Sequence, residues 1–104
     1  MAEQFDLVVI GGGPGGYAAA FYAASAGMSV ALIEKDTIGG TCLNRGCIPA
    51  KAFLETAAVR RHVEHAKDFG IDAVVGSTDF AVAQARKQKI VDGLVKQTGA
   101  VLRS

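Results

Sequence analysis

Cys42 and Cys47 are the only cysteines in the 104-residue sequence, and they stand five residues apart in the run Gly39-Gly40-Thr41-Cys42-Leu43-Asn44-Arg45-Gly46-Cys47-Ile48-Pro49-Ala50-Lys51. Residues of this type support three chemistries: a redox couple, a pair of inert buried thiols, or half of a metal site. Zinc asks for four ligands, and no further Cys or His pair stands beside these two. Spacing alone does not choose between redox and inert thiols. Five steps along a helix give a rise of roughly 7.5 Å, beyond the roughly 7 Å limit on Cα separation in a disulfide. A regular helix therefore cannot bridge the pair. Gly46 and Pro49 would release the backbone from regular geometry, Gly through its range in φ and Pro by removing an amide donor. A disulfide here would sit in a distorted first turn, and strained or accessible disulfides are the labile ones.

The elements that must position this pair precede it. From Leu7 to Ile33 there is no charged residue, long enough for a membrane span of about 20 residues. Seven interruptions, Gly11, Gly12, Gly13, Pro14, Gly15, Gly16 and Gly27, argue against one. The residues before it carry Glu3 and Asp6 and no Lys or Arg, so a signal peptide is not expected. A soluble, cytoplasmic protein follows from this reading. The formal net charge of +1 gives no electrostatic reason to expect nucleic acid or an acidic membrane as partner.

The same run reads as strand, turn, helix, strand. Phe5 to Ile10 is a continuous Val- and Ile-rich segment, the pattern of a parallel strand buried on both faces. Pro14 suits a first helical position. The alanine-rich stretch from Tyr17 to Ala26 is a strong helix former with Gly27 placed to stop it. Ser29 to Glu34 returns as the second strand. Gly11, Gly13 and Gly16 spell G-x-G-x-x-G in the context that pattern requires: Gly11 for the tight turn, Gly13 for approach to a pyrophosphate, Gly16 for close helix–strand packing. Phosphates would sit at the helix N-terminus. Glu34, eighteen residues past Gly16, ends the second strand where an acidic side chain accepts from the ribose hydroxyls of an adenosine. The pattern predicts dinucleotide binding without distinguishing NAD from FAD.

The run GGTCLNRGCIPAK resembles the redox-active segment of the class I flavin-dependent pyridine nucleotide disulfide oxidoreductases. With Leu43 and Ile48 it is nearer to the members that oxidise dihydrolipoamide than to the glutathione and mercuric reductases, where Val is more usual at both positions. Ala50 stands where Ser is common. The resemblance implies that Gly11, Gly12, Gly13, Pro14, Gly15 and Gly16 hold the ADP part of FAD, and that Glu34, Lys35, Gly40, Thr41 and Cys42 line the cofactor. It implies Lys51 near the reactive flavin nitrogen, Cys47 as the thiolate beside the ring, and Cys42 as the interchange thiol that attacks the substrate disulfide. Thiol pKa values fall at helix N-termini and near cations, and both conditions are expected around Cys47 and Lys51.

The reaction so implied is oxidation of a protein-bound dihydrolipoyl group, electrons passing through the Cys42/Cys47 dithiol to FAD and on to NAD+. The partners would be a lipoyl domain, of a 2-oxo acid dehydrogenase complex or glycine cleavage system, and a second subunit in a homodimer. Two alternatives stand beside it: another disulfide reductase of the same family, acting on glutathione-like disulfides or Hg(II), and a nucleotide-binding module without turnover.

Beyond the cysteines the sequence predicts a long amphipathic helix with Phe53, Leu54, Ala57, Ala58 and Val63 on one face and Arg60, Arg61, Glu64, His65 and Lys67 on the other. His62 and His65 belong to the solvated face. Asp68 to Ser77 reads as a connector with a brief strand at Ala73 to Val75. Asp79 reads as the N-cap of a last helix toward Leu102, with Phe80, Val82, Ile90, Leu94, Val95 and Leu102 as its apolar contacts and a solvated cluster at Arg86, Lys87 and Lys89. The fold class is α/β, a Rossmann-like FAD-binding βαβ unit followed by long helices. Two strands cannot complete a doubly wound sheet. Residues 1–104 are therefore expected to be the amino-terminal part of an FAD-binding domain, inactive alone, with the NAD and dimerisation domains absent.

Overall fold

The computed structural model describes residues 2–104. A parallel pair of strands, β1 (Leu7–Ile10) and β2 (Val30–Ile33), runs in register from Leu7 opposite Val30 to Ile10 opposite Ile33. Parallel strands need a crossover, supplied by α1 (Pro14–Ser25). The register is pinned where the strands begin. The Asp6 carboxylate accepts from the Ser29 amide at 2.8 Å and its hydroxyl at 2.9 Å, while the Asp6 amide donates back to the Ser29 carbonyl at 3.0 Å.

Helix α1 starts with Pro14 and has Gly13 as its N-cap, with no side chain capping it. It ends as a Schellman motif: Gly27, at φ 86°, donates to the Ala24 carbonyl and Met28 to that of Ala23. Its buried residues are Ala20 and Ala23, small enough to let the helix lie close on the strands. Gly16 makes the closest approach of all, since a Cβ there would overlap the Gly11 carbonyl oxygen.

Two helices follow where one distorted helix was expected: α2 (Gly40–Arg45) and α3 (Cys47–Glu64). They are separated at Gly46, whose φ of −130° and ψ of −110° leave the helical region. After a single 3₁₀ turn at Ala66–Phe69 the chain runs irregularly to Asp79, so the brief strand expected at Ala73 to Val75 does not form. Among the described residues no third strand lies beside it to pair with.

Helix α4 (Phe80–Arg103) begins as the sequence predicts, the Asp79 carboxylate accepting from the Ala81 amide at 2.9 Å. It packs back along α3. Phe80 stacks on Phe53 with ring centroids 5.5 Å apart, and Ala52, Ala83 and Val91 are buried. Leu54 is exposed, so the packed face of α3 is rotated toward Pro49 and Ala52 from the face the apolar residues suggested. Arg86 also departs from a purely solvated role, donating across the hairpin to the Ala52 carbonyl at 3.2 Å. His62 and His65 are exposed as expected, and the described residues hold no cluster of three or more metal-ligating side chains.

The core is thin. Five of the seven buried apolar residues are alanines, and no described side chain is completely enclosed. The radius of gyration is 19.8 Å, against about 13 Å for a compact chain of this length. Neither strand is covered on both faces: Val8 is 50%, Ile10 85% and Ile33 55% exposed, because α1 lies on one side and no described strand or helix covers the other. Among the described residues no helix is long and apolar enough to cross a membrane.

Gly16 and Gly15 form a matched test of the packing. Gly16→Ala must push the first turn of α1 off the Gly11 carbonyl and should destabilise the fold by about 3 kcal/mol. Gly15→Ala meets nothing within 4 Å and should stabilise it by about 0.5 to 1 kcal/mol through the helix preference for alanine. Thermal melts of the two variants measured side by side check the opposite signs.

Candidate functional site

The glycine loop and the cysteine segment meet through backbone. Gly11, at φ 104°, reverses the chain after β1. Gly12 is buried and uses both its polar groups: its amide donates to Glu34 Oε2 at 2.7 Å, and its carbonyl accepts from the Gly39 amide at 2.8 Å. A Cβ on Gly12 would meet Ile38 Cδ1 at 2.7 Å. Gly13 and Gly40 then pass back to back, and a Cβ on Gly40 would fall 2.7 Å from Gly13 Cα. The start of α2 thus lies directly against the turn that opens α1. Pro14 and Gly15 are exposed there.

Glu34 joins these pieces. Besides the Gly12 amide, its carboxylate accepts from the Asp36 amide on Oε1 at 3.0 Å, and these backbone donors hold its pKa below the ordinary carboxylate value, the Gly12 bond contributing most. A cavity of about 480 Å³ opens in front of it, lined among others by Ile10, Gly11, Lys35, Gly40 and Thr41. That volume lies within the range of small-molecule and cofactor sites.

The fit to an ADP group rests on three observations. The amino end of α1 is uncapped by any side chain, so its first-turn amides and dipole face outward toward the loop. The glycine loop leaves no room for side chains between itself and α2. Glu34 sets a carboxylate at the cavity that still has a lone pair free for a hydroxyl donor.

The two cysteines come together across the helix break. Cys42 lies in the first turn of α2, half-buried, and Cys47 is the first residue of α3, exposed. Gly46 permits this, since a Cβ on it would stand 3.0 Å from the Thr41 carbonyl oxygen and 3.3 Å from Cys42 Cα. Both are free thiols. The Cys42 thiol is hydrogen-bonded to Cys47, and this bond is the main cause of a pKa raised above the ordinary thiol value. Partial desolvation and the negative charge of an ionised Cys47 push the same way, and the Lys51 ammonium, one turn into α3, opposes them.

Sequence reading placed Gly11 to Gly16, Glu34, Lys35, Gly40, Thr41, Cys42, Cys47 and Lys51 at the site, and all lie around this loop, cavity and helix break. It missed Gly39, at φ 110°, and Asn44. The carboxamide of Asn44 donates to the Ile38 carbonyl at 3.1 Å and to the Gly40 carbonyl at 3.0 Å. Gly39 carried a readable signal, being the first of a glycine pair. Asn44 carried none, because both acceptors are main-chain atoms.

Two pH experiments follow from these groups. Because the folded pKa of Glu34 is depressed, its stabilisation is full above the ordinary carboxylate pKa and is lost as pH falls through the lower folded value. Glu34→Gln should flatten the acid limb of stability measured by denaturant titration. For the thiols, iodoacetamide at neutral pH should label the exposed Cys47 before Cys42. Cys47→Ala removes the chief cause of the raised Cys42 value and should shift the midpoint of Cys42 alkylation to lower pH, read by peptide mass mapping.

The profile of the pyridine nucleotide-disulphide oxidoreductase family matches residues 5–102. A dihydrolipoyl dehydrogenase of Chlamydia pneumoniae is 46% identical over 104 residues, covering 100% of this chain and 23% of that protein. One from Chlamydia trachomatis is 49% identical over 104 residues, covering 100% of this chain and 22% of the relative. One from Bacillus subtilis is 52% identical over 92 residues, covering 86% of this chain and 20% of its own length. The chain thus spans 20% to 23% of the length of these relatives. A profile match over nearly every residue, with both cysteines and the glycine loop inside it, places the chain in the pyridine nucleotide-disulphide oxidoreductase family.

Proposed function

We propose that residues 1–104 are the amino-terminal part of an FAD-binding domain in an enzyme that oxidises protein-bound dihydrolipoyl groups with NAD+. The observation that carries this reading is the meeting of the Cys42 and Cys47 thiols across the Gly46 break, on a helix whose start packs against the glycine loop. The thin core and the uncovered strands support placing turnover in a larger assembly. The similarity to dihydrolipoyl dehydrogenases supports the substrate: a lipoyl domain of a 2-oxo acid dehydrogenase complex or of a glycine cleavage system, met by a homodimeric enzyme.

In the oxidised state the two sulfurs share a disulfide. A substrate thiolate attacks the Cys42 sulfur, the Cys42–Cys47 bond breaks, and Cys47 leaves as thiolate. The second substrate thiol, deprotonated, then attacks the mixed disulfide and departs as oxidised lipoyl, and Cys42 takes up a proton. Hydrogen bonding to Cys47 raises the Cys42 pKa, which favours the return of a proton to Cys42 at this step. When bound, FAD supplies the two-electron acceptor that restores the disulfide and relays the pair to NAD+. Glu34 would hold the ribose of its adenosine, the first turn of α1 its phosphates, and Lys35, Gly40 and Thr41 the wall between them and Cys42. Lys51 would set a positive charge beside the dithiol and the flavin.

Expressed as the complete reading frame, the protein should copurify with flavin and oxidise dihydrolipoamide with NAD+, and Cys42→Ser should lower that rate by about a thousandfold or more. A fully active serine variant would sink the proposal, as would preference for glutathione disulfide or Hg(II) in a substrate panel. The 104 residues alone should bind FAD weakly, and firm retention of FAD by the monomer on size exclusion would contradict their being part of a domain.

A further inference from the structure

Asn44 is tied into the site more thoroughly than any other polar side chain of α2. Both hydrogens of its carboxamide are used, one on the Ile38 carbonyl outside the helix and one on the Gly40 carbonyl in its first turn. Between those acceptors stand Gly39 and Gly40, with φ of 110° and 64°, a glycine pair whose backbone has wide freedom unless something holds it. Gly39 is also the residue that donates to the Gly12 carbonyl. A continuous path therefore runs from the glycine loop through Gly39 and the two carbonyls to Asn44. It continues through the six-residue helix that carries Cys42 to the Gly46 break and Cys47.

Helix α2 cannot hold this geometry unaided. It is far shorter than the roughly 12 residues at which an isolated helix becomes even marginally stable, and no side chain caps its start. The Arg45–Asp36 ion pair on its outer side is exposed at both partners, and such pairs contribute little. Leu43 packs on Gly39 from the same helix, and the partly buried Asn44 amide is the side chain that hydrogen-bonds the entry turn to the body of the helix.

We propose that Asn44 is a positioning residue for the dithiol: by clamping the Ile38–Gly40 turn it holds the Cys42 sulfur within bonding reach of Cys47 and so sets the stability of their disulfide. The proposal rests on the reading of Cys42 and Cys47 as a cycling pair. Closing the disulfide releases two protons and two electrons from the thiols. In the test these go to oxidised dithiothreitol, whose own sulfur–sulfur bond opens to two thiols as the Cys42–Cys47 bond forms.

The test equilibrates the chain with defined ratios of oxidised and reduced dithiothreitol and traps the thiols by alkylation. Asn44→Leu keeps the volume and removes both donors. It should shift the equilibrium about tenfold toward the dithiol, equivalent to about 30 mV for this two-electron couple. Asn44→Asp keeps the shape but sets a carboxylate against two carbonyl oxygens. It should show the same shift at neutral pH, shrinking in mild acid as the new carboxyl gains a proton and with it one donor.

A merely structural role would lower the melting temperature and leave no pH-dependent difference in the equilibrium. Equilibria of both variants within about twofold of the wild type overturn the proposal. If Asn44→Leu does not fold, the pH series of Asn44→Asp decides alone. A wild-type chain that never closes the disulfide removes the redox reading and this role together, whereas closure in wild type and variants alike removes only the role of Asn44.

Discussion

The structure depends on what Gly12 does with its two backbone polar groups. Its amide binds the Glu34 carboxylate at the end of β2, and its carbonyl binds the Gly39 amide at the entrance to α2. One residue without a side chain thus fastens the turn after β1 to the far end of the sheet and to the cysteine segment. A Cβ there would run into Ile38 and Glu34. Loss of either bond would leave a buried main-chain group without a partner, which costs more than an ordinary hydrogen bond contributes. The phosphate-type loop and the dithiol are therefore one structural unit and not two motifs that happen to be neighbours in sequence.

From that junction the chemistry of the sulfurs follows. Five residues of continuous helix would hold them apart, and the chain solves this by ending one helix at Arg45 and starting another at Cys47. The break requires Gly46, because its backbone crosses within contact of Thr41 and Cys42. Once the sulfurs meet, their environments differ. Cys42 is half-buried and its pKa is raised, chiefly by hydrogen bonding to Cys47, while Cys47 is exposed at the amino end of an 18-residue helix. Two identical side chains thus stand in unequal surroundings.

The rest of the molecule supports this unit with little to spare. Alanines make most of the core, so the contacts are close but each buries little apolar area. The α3–α4 hairpin is held by the Phe53–Phe80 stack, an interaction contributing about 0.5 to 1.5 kcal/mol beyond its area. Arg86 adds its bond to the Ala52 carbonyl, and Arg60 bonds Thr78 across the connector. The strands meanwhile present apolar side chains such as Ile10 to solvent.

Local signals were enough to read the strand–turn–helix–strand unit, the Pro14 start and Gly27 stop of α1, the Asp79 cap of α4 and the family resemblance carried by the cysteine run. Each is a matter of residue type at fixed spacing, which the chain states directly. The roles of Gly11 and Gly16 were legible for the same reason: φ above zero and missing Cβ atoms leave glycine in the sequence. What depended on partners distant along the chain was not legible. Leu54 is as apolar as any core residue, yet α3 turns it to solvent because α4 packs on the Pro49 and Ala52 side. Val75 and its neighbours have strand character but no strand to pair with. Asn44 and the carbonyls of Ile38 and Gly40 recognise one another only once the left-handed glycine pair has folded the turn back on α2. Sequence determined which residues could do the chemistry. The tertiary structure alone decided that the Gly46 break brings the two cysteines together and that one is half-buried and the other exposed, because both outcomes depend on distance and burial, which no local pattern encodes.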